Sequence, residues 1–473
     1  MPAFSEVMGS TTSKKPLINL LRGWPNFSLL PTHILQKATH NVLTNNAVAF
    51  PALEYGPDPG APQLLTGVAT WLTSFYKPSL PVTDKRLCIT GGASQNLACL
   101  LQVFTDPGYT RNIWIVSPSY MLAFRVFDDS GFSKKLRAVP EDDEGIDIEF
   151  LKREIRKSEG KAASEGNHEP QFKPQRPWGK VYKHIIYAVP TFSNPSFKTM
   201  TLGRREELVR VAREYDALVI TDDVYDFLQW PNNLEAHKQS LNQAILPRIV
   251  DIDRFLDGGS ERDGADGFGN AASNGSFSKI CGPGLRTGWV EGTEKLAYGV
   301  SQTGSQRSGG APSQLTATFV ADTLQSGELQ RHVLEVLQPA YGNRYRVMMA
   351  AINKWLVPLG VELPQMDREV VGGYFVWLTL PRPLKGALVA ERAKEDENLI
   401  VPGDTEHAHF ERDLRICFAW EDEAMLAEGI ERLGSVIRAM QNEGEGDGDK
   451  TANGGKQGDQ TTTGESAKVK DFW

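Results

Sequence analysis

Long apolar runs are missing from this chain. It never reaches the roughly 18 consecutive apolar residues that a membrane-crossing helix needs, so no membrane partner is expected. A basic surface is missing too. The 59 acidic residues outnumber the 51 basic ones, and a net charge of −8 argues against a nucleic-acid partner held by a broad cationic face. Cysteine is scarce: Cys88, Cys99, Cys281 and Cys417 are scattered, with neither metal-ligand spacing nor a disulfide framework. They read as reduced thiols, which fits a cytoplasmic location. The opening MPAFSEVMGSTTSKKPLINL lacks the continuous apolar core of a secretory leader. It is poor in acid but has no arginine before Arg22, so a mitochondrial presequence is the weaker alternative. Internal repeats are absent as well.

What remains is the composition of an ordinary globular protein, 40% hydrophobic and 23% charged, and 473 residues suffice for two or three domains. From about residue 84, short apolar runs alternate with helical patterns. The runs Leu87–Thr90, Ile113–Ser117, Leu136–Val139, His184–Val189, Ala217–Thr221, Ile249–Ile252 and Trp289–Glu291 read as strands. Ser94–Phe104, Ile148–Ile155 and Arg204–Tyr215 read as amphipathic helices between them. That alternation predicts an α/β fold, a mostly parallel seven-stranded sheet sandwiched by helices. From about Ser326 a long helical pattern, strand-like Gly373–Leu380 and Leu414–Phe418, and a final helix over Glu421–Met440 predict a smaller α+β domain. The charged, proline-rich 157–180 and the Gly/Asp/Asn-rich 257–275 read as flexible surface insertions, and residues 442–473 as a disordered tail.

In open α/β sheets ligands bind beyond the carboxyl ends of the strands. Polar residues cluster at such ends here: Gly91–Gln95, Pro118–Tyr120, Pro190–Pro195, Asp222–Tyr225 and Ser276–Lys279. The densest chemistry lies in Gly275-Ser276-Phe277-Ser278-Lys279-Ile280-Cys281-Gly282-Pro283-Gly284-Leu285-Arg286. A desolvated lysine amine can condense with a carbonyl and then act as a base. A serine hydroxyl and a guanidinium suit phosphate oxygens. For an isolated Ser-x-x-Lys, a solvated lysine in a glycine loop is the commoner outcome; the other strand ends change that balance.

Together these residues resemble the class I/II aminotransferases, the fold-type-I enzymes dependent on pyridoxal 5′-phosphate, from about Ile18 to Met440. Leu21-Arg22-Gly23-Trp24-Pro25-Asn26 and Asp222-Asp223-Val224-Tyr225-Asp226-Phe227-Leu228-Gln229 are most similar to the aminoadipate/kynurenine branch. The resemblance implies that Lys279 forms the Schiff base. Ser276, Arg286 and the turn carrying Ala93 and Ser94 then bind the phosphate, with Ala93 standing where this branch often has serine. It further implies that Tyr120 stacks on the ring, that Asn194 and Tyr225 bond the ring's 3-oxygen, and that Asp222 pairs with the ring nitrogen. Arg415 becomes the clamp for the substrate carboxylate, with Gly23 and Asn194 beside the substrate. Tyr55 becomes the residue that reaches the phosphate in the partner subunit of a homodimer. The family commonly continues Asn-Pro-x-Gly, whereas this chain reads Asn194-Pro195-Ser196-Phe197, so a different turn is expected there.

The implied division is an N-terminal arm with part of the small domain (1–60), a large cofactor domain (61–325), a C-terminal small domain (326–441) and the tail. The implied reaction moves the amino group of an L-amino acid, of aminoadipate, kynurenine, aromatic or branched-chain type, to a 2-oxo acid such as 2-oxoglutarate. A lyase or decarboxylase on the same fold is the alternative, because the motifs do not fix which bond at Cα breaks. A non-enzymatic cofactor sensor is a third reading; no helix-turn-helix is expected before residue 18. Trp24, Phe27, Leu29 and Tyr374 are candidates for a pocket taking aromatic or long-chain side chains, and equally for core or interface.

Overall fold

The computed structural model describes residues 15–232, 241–307, 312–364, 368–402 and 410–448. The first fourteen residues and those beyond 448, on which the expectations about a leader and most of the tail fall, lie outside them. At the centre is an eight-stranded sheet in the order Leu87–Thr90, Gly288–Glu291, Ala271–Ser276, Ala217–Asp222, His184–Ala188, Asn112–Ser117, Leu136–Asp142 and Gly145–Ile146. The first seven match the expected number of strands, six of them at expected positions; the last is a two-residue hairpin strand on one edge. Gly288–Glu291 runs antiparallel to both neighbours, and the remaining strands of the seven share one direction. Their carboxyl ends therefore open on the same side. The strands Ala217–Asp222 and Ala271–Ser276 are buried along their whole length, as a parallel sheet covered by helices requires.

The covering helices follow their sequence patterns. Ala93–Phe104 buries Leu97, Leu100, Leu101 and Phe104, the i, i+3, i+4, i+7 stripe of a one-sided helix. Leu202–Glu214 is capped by Thr201, whose hydroxyl accepts from Arg204 N, and it buries Arg205, Leu208, Val209 and Ala212 on the same spacing. Ile148–Ser164 starts at Asp147, whose carboxylate accepts from Phe150 N at 2.9 Å.

Two expectations fail here. Ile249–Ile252 is not a strand but the start of a helix, Ile249–Phe255. A four-residue apolar run fits either period, and the pairs made by its polar residues decide for the helix: Arg248 caps it through Asp251, and Arg213 binds Asp253 at 3.0 Å. The missing strand is Ala271–Ser276, five of whose residues had been read as insertion. At Gly275 the neighbouring strand leaves no room for a side chain: a Cβ there would lie 2.1 Å from Trp289 Cε2.

The segment 157–180 is not a flexible insertion either. The helix runs through Ser164, and the loop after it is pinned to Asp106, which is fully buried. Its Oδ2 accepts from Phe172 N and Lys173 N, both at 2.7 Å, and its Oδ1 from Gly108 N and Tyr109 N. Burial pushes this carboxyl's pKa up, but the four backbone donors outweigh it and hold the group below the usual carboxylate range. Tail residues 442–448 are helical too, as the last helix spans Glu423–Gly448.

Beyond the large sheet, Phe375–Thr379 pairs antiparallel with Asp413–Cys417, placing Trp377 opposite Arg415. The helices Gln338–Trp355 and Glu423–Gly448 pack together beside them. Ile18–Asn19 pairs in parallel with Leu399–Ile400, and Cys417 N donates to Leu20 O at 2.8 Å. The N-terminal segment is thereby laid along the strand that carries Arg415.

Candidate active site

The carboxyl ends of the strands and the N-terminal segment meet at Lys279. This residue ends the short turn Phe277–Lys279, directly after the Ala271–Ser276 strand. Its Nζ donates to Gly23 O at 2.8 Å and lies 5.7 Å from the Tyr225 ring centroid and 5.5 Å from that of Tyr374. Gly23 has no room for a side chain, since a Cβ there would lie 2.5 Å from Phe375 Cζ. Burial lowers the Lys279 pKa to about 8, with Cys417 and Asp222 pulling it up and Arg415 pressing it down. Only the neutral amine condenses with an aldehyde, and its fraction rises as pH climbs through that value. The rate of cofactor uptake by the cofactor-free protein is therefore expected to rise with a midpoint near pH 8. A midpoint at the roughly 10.4 of a free lysine would contradict this environment.

Asp222 ends its strand and is 8% exposed. Tyr187 OH donates to Oδ2 at 3.0 Å, while Oδ1 is buried with no hydrogen-bond partner. Burial raises this carboxyl to about 7; the Tyr187 bond and Lys279 oppose the rise and Asp223 adds to it. Asp223 faces a different set, accepting from Thr221 Oγ1 at 2.7 Å and from the Ser273 hydroxyl. Tyr225 is buried, and its ring lies 5.4 Å from that of Tyr374. Tyr120 is half-buried, and burial, then the charge of Asp222, raises its pKa.

Arg415 is held by neutral groups. Nη1 donates to Asn194 Oδ1 at 3.0 Å, Nη2 to Leu21 O at 2.9 Å, and Cζ lies 4.2 Å from the Phe375 ring centroid. Among the described residues no carboxylate pairs with it. Asn194 is buried, at the head of the turn Asn194-Pro195-Ser196-Phe197. Phe197 takes the left-handed conformation (φ 65°) that glycine would supply, and its ring stacks on Tyr345 at 5.9 Å. The strain, roughly 1–2 kcal/mol, is offset by burying that ring.

A second cluster lies next to the lysine turn. The helix Ala93–Phe104 starts without a side-chain cap at Gly92 (φ 103°), which leaves the first-turn N–H groups of the Ala93–Ser94 end to an anion. Ser276 and Ser278 bring their hydroxyls within 2.9 Å of each other. Arg286 is exposed; its Nη2 donates to Gly91 O at 2.9 Å and lies 2.8 Å from where a Cβ on Gly92 would be. Asn96 and Asn274 tie the helix start to the strands: Asn96 Nδ2 donates to Trp289 O at 2.9 Å, and Asn274 Nδ2 to Ala93 O at 3.1 Å. Tyr55 is 82% exposed and stands apart from this cluster in the single chain.

The donor set fits a phosphorylated pyridine aldehyde: an amine of lowered pKa, a buried carboxylate oxygen with no partner, and a hydroxyl and N–H cradle beside them. A family model for aminotransferase class I and II matches residues 15–433. An uncharacterized protein of Saccharomyces cerevisiae is 33% identical over 446 residues, covering 89% of this chain and 97% of its own. The 2-aminoadipate transaminase of Thermus thermophilus is 26% identical, covering 91% and 92%. The crystal structure of Pyrococcus horikoshii kynurenine aminotransferase, in complex with PMP, superposes with a TM-score of 0.70 at 28% identity and covers 90% of this chain and 91% of its own. The chain belongs to the class I and II aminotransferases. It is a fold-type-I, pyridoxal-phosphate-dependent transaminase, and this decides for amino transfer over the lyase alternative.

The sequence reading missed Ser278, Tyr187 and the pair Asn96 and Asn274. Tyr187 carries the one signal it could have used, a polar tip inside an apolar strand one residue short of that strand's end. Of the two readings open for Tyr374, pocket or core, the structure has the core one: it is fully buried, with its hydroxyl donating to Lys279 O.

Proposed function

We propose that Lys279 is the catalytic lysine and that the residues around it divide the labour as follows. Lys279 Nζ would hold the cofactor covalently, Asp222 Oδ1 would take the ring nitrogen, and Tyr225 and Asn194 the ring oxygen. Tyr120 would lie on the ring, while Ser276, Ser278, Arg286 and the Ala93–Ser94 amides would hold the phosphate. When bound, the cofactor supplies an electron sink for the electrons of the broken Cα–H bond. Arg415 binds the substrate carboxylate and Lys279 Nζ takes the proton from Cα, acting as base and then as acid. The observation that carries this reading is Asp222: one oxygen is fixed by Tyr187, and the other is buried without a partner. An uncompensated buried carboxylate costs several kcal/mol, and a protonated ring nitrogen would offset that cost.

The amino donor is proposed to be aminoadipate, kynurenine or an aromatic amino acid, with 2-oxoglutarate as the acceptor. Support comes from the substrates of the two named relatives and from the surface flanking Gly23. There Trp24 (49% exposed) meets Trp420 edge-on at 5.6 Å, Phe27 lies 5.0 Å from Trp420, and Arg22 sits 4.9 Å from the Trp24 ring centroid. Arg415→Lys tests the clamp. Losing the planar fork should raise the donor KM by roughly 10–100-fold, the equivalent of about 1.5–3 kcal/mol. An unchanged KM would remove Arg415 from the carboxylate site.

A homodimer with shared sites is proposed on the exposed face of Leu43, Phe50, Leu53 and Tyr55. Mixing Tyr55→Phe chains with Lys279→Ala chains would test it. Hybrids carrying one site free of both changes should recover activity that neither parent has alone at limiting cofactor, whereas a monomer would recover none. A cytoplasmic location is proposed in keeping with four free, buried thiols.

A further inference from the structure

Tyr374 follows Gly373, which has φ 79°, at the head of the Phe375–Thr379 strand, and its side chain is wholly buried. Its hydroxyl donates to Lys279 O at 2.8 Å and lies 3.2 Å from Tyr341 OH. The lysine turn leaves that carbonyl to a side chain, because the N–H groups of Ile280, Cys281 and Gly282 all converge on Phe277 O. Lys279 is thus held at both ends, its carbonyl by Tyr374 and its amine by Gly23 O. The same Tyr374 ring lies 5.5 Å from the amine, beside the Tyr225 ring at 5.7 Å, and the two ring centroids are 5.4 Å apart. Tyr374 is itself fastened, since Phe418 N donates to its carbonyl at 3.0 Å.

We propose that Tyr374 is the positioning residue of Lys279. Its hydroxyl fixes the root of the lysine arm and, backed by Tyr341, keeps the amine beside the paired Tyr225 and Tyr374 rings. The proposal rests on the reading of Lys279 as the catalytic lysine. A lysine that must both hold a group and carry a proton needs a fixed root, because displacing a reacting atom by about 1 Å can cost on the order of 100-fold in rate. Tyr374 touches neither the transferred proton nor, on this account, the donor, so it should act on kcat and not on KM.

Tyr374→Phe keeps the ring and deletes the hydroxyl. The loaded enzyme should retain its cofactor and visible band, lose roughly tenfold in kcat, and keep its donor KM within about twofold. Hydrogen exchange of the Ile280, Cys281 and Gly282 amides should quicken by roughly tenfold while exchange elsewhere stays parental. Tyr341→Phe should show the same pattern more weakly, and it stands in if Tyr374→Phe does not fold. Parental kcat with parental exchange at these amides overturns the proposal. So does a changed KM at constant kcat, which would return Tyr374 to the substrate pocket. Quickened exchange throughout the protein would mark mere packing and overturn it equally. If Lys279→Ala stays active, the reading of Lys279 itself falls; if Lys279→Ala is inactive and Tyr374→Phe is parental, only the role of Tyr374 falls.

Discussion

Lys279→Ala is expected to lose the visible absorption of the cofactor-loaded enzyme and to lower turnover by roughly 10⁴-fold, the upper end of what one positioned acid–base group supplies. Two functions go together, because the same Nζ holds the cofactor and takes the Cα proton. Lys279→Arg should be nearly as inactive: a guanidinium keeps the positive charge but neither condenses with an aldehyde nor gives up its proton near neutral pH. That comparison separates the nucleophile from the charge. The cofactor-free alanine variant should also be the more stable protein below pH 8. The folded lysine pKa lies below its unfolded value, so the cost of charging a buried amine is fully present below the folded pKa and gone above the unfolded one. Steady-state rates, an absorbance scan and melting curves at two pH values check the three statements.

Asp222→Asn should cost roughly 10²–10⁴-fold in kcat/KM, from the roughly 3–5 kcal/mol lost when one partner of a buried charge pair is removed. Asparagine keeps the shape and can still accept from Tyr187, so the loss reports the charge. In the cofactor-free protein the effect on stability should have the opposite sign. Burial raises the Asp222 pKa to about 7, so the folded state binds this proton more tightly than the unfolded one. The aspartate's penalty is absent below the unfolded value, grows as pH rises through the interval, and is complete above about 7. The asparagine protein should therefore melt several degrees higher at pH 8 and equally at pH 3.5. A variant that loses activity and also loses stability at pH 8 would mark Asp222 as a packing residue.

The sheet was legible because a parallel strand covered on both faces must be a short apolar run, and its helices must carry one apolar stripe. That logic found Leu87–Thr90 and Ala217–Thr221, and it pointed to polar residues beyond their ends. It failed at Ala271–Ser276, a strand made of alanine, serine, asparagine and glycine, where Trp289 of the next strand fills the space a side chain on Gly275 would need. It failed at Ile249–Ile252 because periodicity cannot tell a short buried strand from a buried helical turn. Within the site, residues with distinctive chemistry could be nominated from the chain: Lys279, Asp222, Arg415, Asn194. Groups that act through their neighbours could not. Tyr187 and Tyr374 reach Asp222 and Lys279 from 35 and 95 residues away, and only folding creates those contacts. The left-handed φ of Phe197 is likewise visible only in the folded chain, since nothing in a phenylalanine announces it.

The most direct test of the central claim is an absorbance scan of the loaded enzyme before and after single amino acids are added without an oxo-acid acceptor. A visible band that moves to shorter wavelength with aminoadipate, kynurenine or an aromatic amino acid, and returns on adding 2-oxoglutarate, is the predicted result. A band that persists through these donors while ammonia or carbon dioxide appears, or a protein that takes up no cofactor, would contradict it.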